Sequence, residues 1–220
     1  LGDGIGRSDS AGQGALLSDG PELVALASIA RRHAVAIACG YVEQCSGRYH
    51  DAALFVDHRG CALANYRRTH FVPGRESALL AEGHWLNVVP FAGHRLGLLI
   101  GPDIEVPEPA RALALAGADS LLVLAAHGAD AHIVAEAVLP ARAYENGCAI
   151  AYANAGDEVG APASRILDPH GTLLATARLE PVSAALPAPK PSPAADRVAR
   201  RPLLYRKLAA PIADAHTPRV

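Results

Sequence analysis

The chain has 220 residues, half of them hydrophobic, and a formal net charge of −2 at pH 7. This length and apolar content fit one domain with a sizeable core. The nearly balanced charge provides no basic field for nucleic acid or an anionic membrane. The apolar runs are too short to span a bilayer, and no charged-then-apolar leader opens the sequence. We therefore predict a cytoplasmic protein that binds neither nucleic acid nor membrane.

The predicted elements divide the chain into two halves. Residues 1–20 are rich in Gly, Ser and Asp and predict a flexible segment, after which Pro21 opens a helix. Antiparallel strand pairs follow, and helix–strand alternation begins near residue 109. The predicted helices cover residues 21–33, 109–117 and 130–146. The predicted strands cover residues 34–42, 49–56, 61–68, 84–91, 95–100, 120–125, 148–154, 163–168 and 172–178.

This order of elements predicts a layered α/β domain at residues 21–179, with sheets covered by helices. Residues 180–220 are a Pro/Ala-rich and then basic tail that cannot hold a regular core element. The stretch 100–108, IGPDIEVPE, links an apolar strand to a helix. A nucleophile often stands at such a junction in α/β enzymes, but here Gly101 and Pro102 occupy it.

Several segments of the chain resemble the nitrilase superfamily of carbon–nitrogen hydrolases, in particular its small amidase-like members. Residues 66–71, YRRTHF, are similar to the family's YRKTHL, and residues 100–108 are similar to ICYDIEFPE. The order and spacing of these motifs extend the match from about residue 21 to residue 178. Further similar segments lie at residues 113–123, 141–146, 151–154, 164–171 and 201–205.

The resemblance implies a four-layer αββα sandwich that pairs into dimers. It also implies hydrolysis of a small amide or nitrile by a Glu–Lys–Cys triad that uses no metal and no other cofactor. The chain would lack the family's first strand, first helix and glutamate strand, because the glutamate motif belongs before Leu1. The short Pro21-Glu22 motif opens a helix, so we interpret Glu22 as a first-turn helix acid.

Residue by residue, the resemblance places altered side chains at the catalytic positions. The family cysteine falls on Gly101, which has no nucleophile. The backbone N–H that would bind the oxyanion falls on Pro102, which has none. The family lysine falls on Arg68, which keeps the charge but not the shape or the exchangeable proton of an ammonium. Glu76 matches a second acidic position, for which a solvated loop carboxylate is the alternative.

Other residues admit both chemical and structural interpretations. Asp103 and Glu105 could act as a paired acid and base, but we favour a role in shaping the turn. Arg67 and Arg68 could bind an anion such as a carboxylate at the end of their strand. Arg68, Asp103 and His127 are accordingly the candidate binding residues.

Histidine and cysteine side chains also admit alternative interpretations. His127, Asp130 and His132 suggest a metal site, but three surface residues are the favoured interpretation. Cys39 could be a displaced nucleophile, although a buried and inert thiol fits better. The four cysteines have no CxxC spacing, which is typical of reduced thiols.

These observations predict a carbon–nitrogen hydrolase family member that is inactive by the family mechanism. Its ligand would be a small amide or nitrile, and it would form a homo-oligomer. The alternatives are a pseudoenzyme that acts as a binding module or as one half of a mixed dimer with an active paralogue, and a truncated gene product.

Overall fold

A computed structural model describes residues 14–72, 78–155, 159–178, 180–188 and 203. Three α-helices lie wholly within these ranges: α1 (Pro21–His33), α2 (Pro107–Leu115) and α3 (Leu139–Asn146). The nine strands are β1 (Ile37–Cys45), β2 (Arg48–Val56), β3 (Ala62–Arg67), β4 (Val88–Phe91), β5 (His94–Ile100), β6 (Ser120–Ala125), β7 (Ala149–Asn154), β8 (Ser164–Leu167) and β9 (Leu173–Ala177). Most of the predicted segments 1–20 and 180–220 lies outside the described residues.

The first sheet has the antiparallel order β1-β2-β3. Its β1–β2 hairpin closes through Ser46 and Gly47, whose positive φ angles of 49° and 76° are those of a type I′ turn. The sequence pattern does not predict this hairpin, and it places the start of the strand at residue 34. In the structure Ala34 ends α1 in the left-handed conformation, so β1 begins three residues later.

The second sheet has the order β4-β5-β6-β7-β8-β9. Its centre, β5-β6-β7, is parallel, and the outer pairs are antiparallel. The two parallel crossovers contain α2 and α3, so the carboxyl ends of β5, β6 and β7 meet at one edge. Loops that follow parallel strands at such an edge are where α/β proteins bind ligands.

The core lies between the two sheets. Phe55 and Tyr66 of the first sheet pack with Leu98 and Ile100 of the second in one buried cluster. Phe55 also meets the ring of Phe91 edge-on, with centroids 5.2 Å apart. A second cluster joins α1 to the outer face of the first sheet, while α2 and α3 cover the second sheet. The layers therefore follow the predicted αββα order.

The long helix predicted at residues 130–146 is interrupted. The chain forms a 3₁₀ turn at Ala129–Ala131, a π-helical turn at Val134–Val138, and only then α3. The physical reason is Pro140, which has no N–H to donate to the preceding turn and forces the local geometry to widen. The strand predicted at residues 84–91 is likewise shorter, because only Val88–Phe91 pairs with β5.

Within the described ranges, no helix combines the length and the apolar character that crossing a membrane requires.

Candidate functional site

A cavity of about 720 Å³ opens at the carboxyl ends of β5, β6 and β7 and reaches the first sheet. Residues that the sequence spaces far apart line it together, among them Gly101, Pro102, Arg68 and His127. Its ionisable side chains also include three carboxyl groups, those of Asp51, Glu105 and Asp130, and the thiol of Cys39. The fold thus brings two of the three predicted binding residues, Arg68 and His127, to one cavity.

Gly101 occupies the sharp turn between β5 and the 3₁₀ segment Gly101–Ile104. Its φ angle is +45°, a left-handed conformation that strains any residue with a side chain. Strained strand-to-helix turns of this kind present nucleophiles in α/β hydrolases. A Cβ atom added at Gly101 would lie 3.8 Å from Nη1 of Arg68. Arg68, the residue predicted for the family lysine position, thus faces Gly101, the residue predicted for the family cysteine position.

Arg68 is held in place on two sides. Its side chain is only 6% exposed, and Nη1 lies 3.2 Å from Oδ2 of Asp51 on β2. The guanidinium carbon lies 4.2 Å from the centroid of the Phe71 ring, a cation–π contact. Both contacts fix the guanidinium against the cavity wall.

The predicted anion site at Arg67 and Arg68 needs correction, because these adjacent residues point to opposite faces of the sheet. Arg67 forms a bidentate ion pair with Glu43. Its Nε donates to Oε2 at 2.6 Å, and its Nη2 donates to Oε1 at 3.0 Å. Glu43 is 1% exposed and is not part of the cavity lining. Only Arg68 therefore presents its charge to the cavity.

Asp103 is fully buried beneath the 3₁₀ turn and does not line the cavity. Its Oδ1 accepts hydrogen bonds from the backbone N–H groups of Thr69 and His70, at 3.2 Å and 2.9 Å, and from the Thr69 hydroxyl at 2.9 Å. Its Oδ2 accepts from the Tyr66 hydroxyl at 2.7 Å and the Ile100 N–H at 3.1 Å. These contacts favour the alternative in which Asp103 shapes the turn, in place of the predicted binding role.

His127 is not the surface residue that the sequence analysis favoured. Its side chain is 10% exposed, and its Nδ1 lies 2.8 Å from the hydroxyl oxygen of Tyr152. The two rings stack with centroids 5.9 Å apart, and the His127 N–H donates to Asn154 at 2.7 Å. Nε2 lies 3.5 Å from Oε1 of Glu105. Burial lowers the pKa of His127, although Glu105 and Asp130 oppose this effect.

A local signal for His127 was present in the sequence: it follows the apolar strand β6 by two residues, at the ligand-binding edge of a parallel sheet. The metal alternative for His127, Asp130 and His132 finds no support, because the part of the chain that the structure describes contains no metal-binding group of three or more such side chains.

Two cysteines lie near or within the core. Cys39 lines the cavity, and burial raises the pKa of its thiol, which matches the inert interpretation. Cys148 is fully buried, donates to the carbonyl of Ala118 at 3.2 Å, and has its pKa raised by burial to about 12. Neither thiol is in the ionised form that a nucleophile requires near neutral pH.

The sequence analysis also missed a cluster of His94, Asp119 and Ser120. Oδ1 of Asp119 and Oγ of Ser120 lie 3.0 Å and 3.2 Å from the same atom, Nδ1 of His94. A catalytic triad instead uses both ring nitrogens, one for each partner. Ser120 is 2% exposed and lies at the amino end of β6, opposite the cavity. This cluster therefore serves structure.

The remaining predicted position, Glu76, lies outside the described residues. Arg142 and Glu145 of α3 form an ion pair at 3.0 Å. Arg142 additionally donates to the carbonyls of Ile104 and Glu105, at 3.2 Å and 2.8 Å. The helix α3 thereby anchors the turn that carries Glu105.

Comparison with known proteins identifies the family. The carbon-nitrogen hydrolase profile matches residues 6–185. An (R)-stereoselective amidase from a Pseudomonas species is 36% identical over 160 residues, which cover 70% of this chain and 58% of the relative. A Pseudomonas protegens protein described as a hydrolase in the pqqF 5′ region is 41% identical over 138 residues, covering 62% and 48%. The chain thus spans about half the length of the curated relatives that it matches.

Solved structures agree with these relatives. An amidase from Nesterenkonia sp. AN1, whose active-site cysteine was modified by Michael addition of acrylamide, superimposes with a TM-score of 0.77 at 31% identity. The match covers 93% of this chain and 79% of that amidase. Another structure of the Nesterenkonia amidase, in complex with butyramide, has a TM-score of 0.74 at 31% identity. On the profile, the relatives and the fold, the chain belongs to the carbon–nitrogen hydrolase family.

Proposed function

We propose that this chain is a catalytically silent carbon–nitrogen hydrolase family member that binds small amides or nitriles without hydrolysing them. The observation that carries the proposal is the arrangement of Gly101, Pro102 and Arg68. The nucleophile position retains its turn and its φ of +45° but has no side chain. The next residue has no N–H for an oxyanion, and the cation opposite is a guanidinium.

The loss of catalytic activity follows from the residues at these three positions. Removal of a nucleophile from a covalent mechanism costs about 10⁴- to 10⁶-fold in rate. A missing oxyanion donor costs about a further 10²- to 10³-fold where the remaining machinery is intact. Since Cys39 and Cys148 are thiols of raised pKa, neither replaces the missing cysteine.

The retention of binding rests on the cavity. It keeps about 720 Å³ of space and a buried cation at Arg68. Its polar wall includes His127 and Asn154. The related Nesterenkonia amidase was solved in complex with butyramide, which supports a small amide as the ligand.

The proposal is tested by measuring ammonia release and ligand binding on the same preparation. We expect no release from butyramide or butyronitrile above the uncatalysed rate, together with saturable binding of butyramide by titration calorimetry. Turnover that co-elutes with the chain through two orthogonal chromatographic steps would overturn the silent assignment. If butyramide does not bind saturably, the proposal that the cavity still binds a small amide is wrong.

A second experiment tests whether position 101 faces the ligand. The Gly101→Cys variant should gain one acrylamide adduct relative to wild type, as resolved by mass spectrometry, and butyramide should slow its formation. We expect no amide turnover from this variant, because Pro102 and Arg68 still lack the required donor and ammonium. Modification that butyramide leaves unaffected would contradict the assignment of the cavity as the ligand site.

A further inference from the structure

Among the described residues that line the cavity, acidic side chains outnumber basic ones. Asp51, Glu105 and Asp130 contribute carboxyl groups, whereas Arg68 is the one lysine or arginine in this described lining. Nη1 of Arg68 is already 3.2 Å from Asp51, so the charges of these two residues largely offset each other. The carboxylates of Glu105 and Asp130 remain, and both residues are exposed to solvent on this side of the molecule. The field at this wall favours a cation.

A buried acceptor stands beside one of these carboxylates. Nε2 of His127 is enclosed and has no hydrogen-bond partner among the described residues, although Oε1 of Glu105 lies 3.5 Å away. The opposite ring nitrogen, Nδ1, is 2.8 Å from the Tyr152 hydroxyl. Buried polar atoms without partners are rare and are costly unless a ligand or water satisfies them. This nitrogen therefore points independently to a ligand at the acidic wall.

The neutral imidazole can accept a proton donor at Nε2. With the proton on Nδ1, that N–H donates to the Tyr152 oxygen and leaves the Nε2 lone pair facing Glu105. Burial disfavours the charged imidazole, which keeps this acceptor available at neutral pH. A group with several N–H donors and a positive charge satisfies both Nε2 and the adjacent carboxylate.

Part of the cavity wall is apolar. Ile133, Val134, Leu124 and Ile100 line it, and Gly101 contributes no side chain. Such a wall accommodates a short hydrocarbon chain. The ligand that these features fit has one ammonium head and a short alkyl tail.

We propose that the cavity binds short-chain primary alkylammonium ions, whose N–H groups are donated to the Glu105 carboxylate and to Nε2 of His127. This inference rests on the proposed function, in which the cavity binds a ligand that it does not hydrolyse. It goes further by assigning a positively charged class of ligand and the two residues that recognise its head.

The test uses three ligands that share a tail and differ in their heads: butylammonium, butyramide and butyrate. Affinities are measured by titration calorimetry on the full chain at about pH 7.5, where the amine is protonated. We expect butylammonium to bind about ten-fold more tightly than butyrate, the equivalent of one charge-assisted hydrogen bond. Glu105→Gln should weaken butylammonium about ten-fold and leave butyramide within about two-fold.

Glu108→Gln is the matched control, since Glu108 is an exposed carboxylate in the first turn of α2 and does not line the cavity. Its affinity for butylammonium should equal that of wild type. His127→Gln provides a second variant of the site and should also weaken butylammonium. Urea unfolding of each variant checks that the fold is intact before its affinity is interpreted.

The pH profile provides another readout. His127 is faced by Glu105, Asp130, Arg68 and Tyr152, and protonation of its ring would place a cation against the ammonium ion. Affinity for butylammonium should therefore fall as the pH is lowered from about 7.5 to about 5.5, while affinity for butyramide changes less.

The outcomes separate the two proposals. Saturable butyramide binding with weaker or absent butylammonium binding would overturn this inference and leave the proposed function standing. Tightest binding of butyrate would show an anion site at Arg68 and would also overturn the inference. Butylammonium binding that Glu105→Gln does not weaken would overturn the assignment of the acidic wall. If none of the three ligands binds, both proposals fail.

Discussion

The hydroxyl of Tyr66 donates a 2.7 Å hydrogen bond to Oδ2 of Asp103, which joins the end of β3 to the turn after β5. Burial and the neighbouring Asp103 carboxylate both raise the pKa of the Tyr66 hydroxyl, so it stays a donor across the neutral range. The two sheets are thus connected directly behind the site where Arg68 faces Gly101. The hydrogen bond between Tyr66 and Asp103 therefore limits which substitutions the turn tolerates.

The first prediction concerns that connection. Asp103→Asn places an amide NH₂ among donors from Tyr66, Thr69 and Ile100 and leaves at least one of them without an acceptor. We expect a loss of about 3 to 5 kcal/mol in the free energy of unfolding, as for other broken buried charge networks. Urea denaturation measures it. Asp130→Asn, an exposed carboxyl, should change stability by less than about 0.5 kcal/mol; an equal loss in both variants would contradict the structural role.

The second prediction concerns the thiols. Burial raises the pKa of Cys148 to about 12, and its side chain is fully enclosed. Iodoacetamide at about pH 8 should therefore modify the exposed Cys61 in the native protein and leave Cys148 unmodified until urea is added. Peptide mass spectrometry identifies the modified positions. Rapid native modification of Cys148, or an acyl adduct on it, would identify a nucleophile that the structure does not support.

The third prediction concerns acid stability. The pKa of His127 is lowered in the folded chain below its ordinary value of 6.5, mainly by burial. As the pH falls through the unfolded value, the unfolded chain takes up the proton first, so the folded state loses stability. Urea midpoints should fall between about pH 7.5 and about pH 5, and less steeply in His127→Gln.

The pKa of His50 is also lowered, again mainly by burial, and its protonation contributes to the same loss of stability as the pH falls. A His33→Gln variant is the control, because His33 is exposed at the end of α1. Its midpoints should follow those of wild type across the range. If the urea midpoint of His127→Gln falls with pH as steeply as that of wild type, other groups determine the loss of stability in acid.

The fourth prediction concerns the packing of α2 on the second sheet. A Cβ added at Gly97 would lie 2.8 Å from Cδ1 of Leu113 and 3.1 Å from Cδ2 of Leu121. Both leucines are fully buried, so Gly97→Ala should cost about 1 to 3 kcal/mol through overpacking. In Gly40→Ala the nearest atom is the Ala52 carbonyl oxygen at 3.9 Å, and this variant should cost less. Equal unfolding free energies for the two variants would contradict the packing.

Much of the fold could be read from local patterns. The helix at residues 21–33 and the strand at residues 120–125 agree with α1 and β6, because apolar periodicity and the Gly20-Pro21 start are local signals. The break within residues 130–146 was missed although Pro140 was visible, since periodicity continued across it. The Ser46-Gly47 hairpin was missed because the first strand was placed three residues early.

The sequence by itself determined the family resemblance. It also predicts, from motif order alone, that Gly101, Pro102 and Arg68 stand at altered catalytic positions, since each belongs to a contiguous motif. The tertiary structure decided what surrounds them. Crossovers and strand register bring Arg68 opposite Gly101 and bury Asp103.

The same long-range geometry decided the environment of His127. Glu105, His127 and Tyr152 come from three separate segments, and only the parallel pairing of β5, β6 and β7 brings those segments to one edge. Burial among such segments is what lowers the pKa of the histidine, and no local pattern encodes it. A motif therefore identifies which residue occupies a position, while packing between distant segments determines its charge state and its partners.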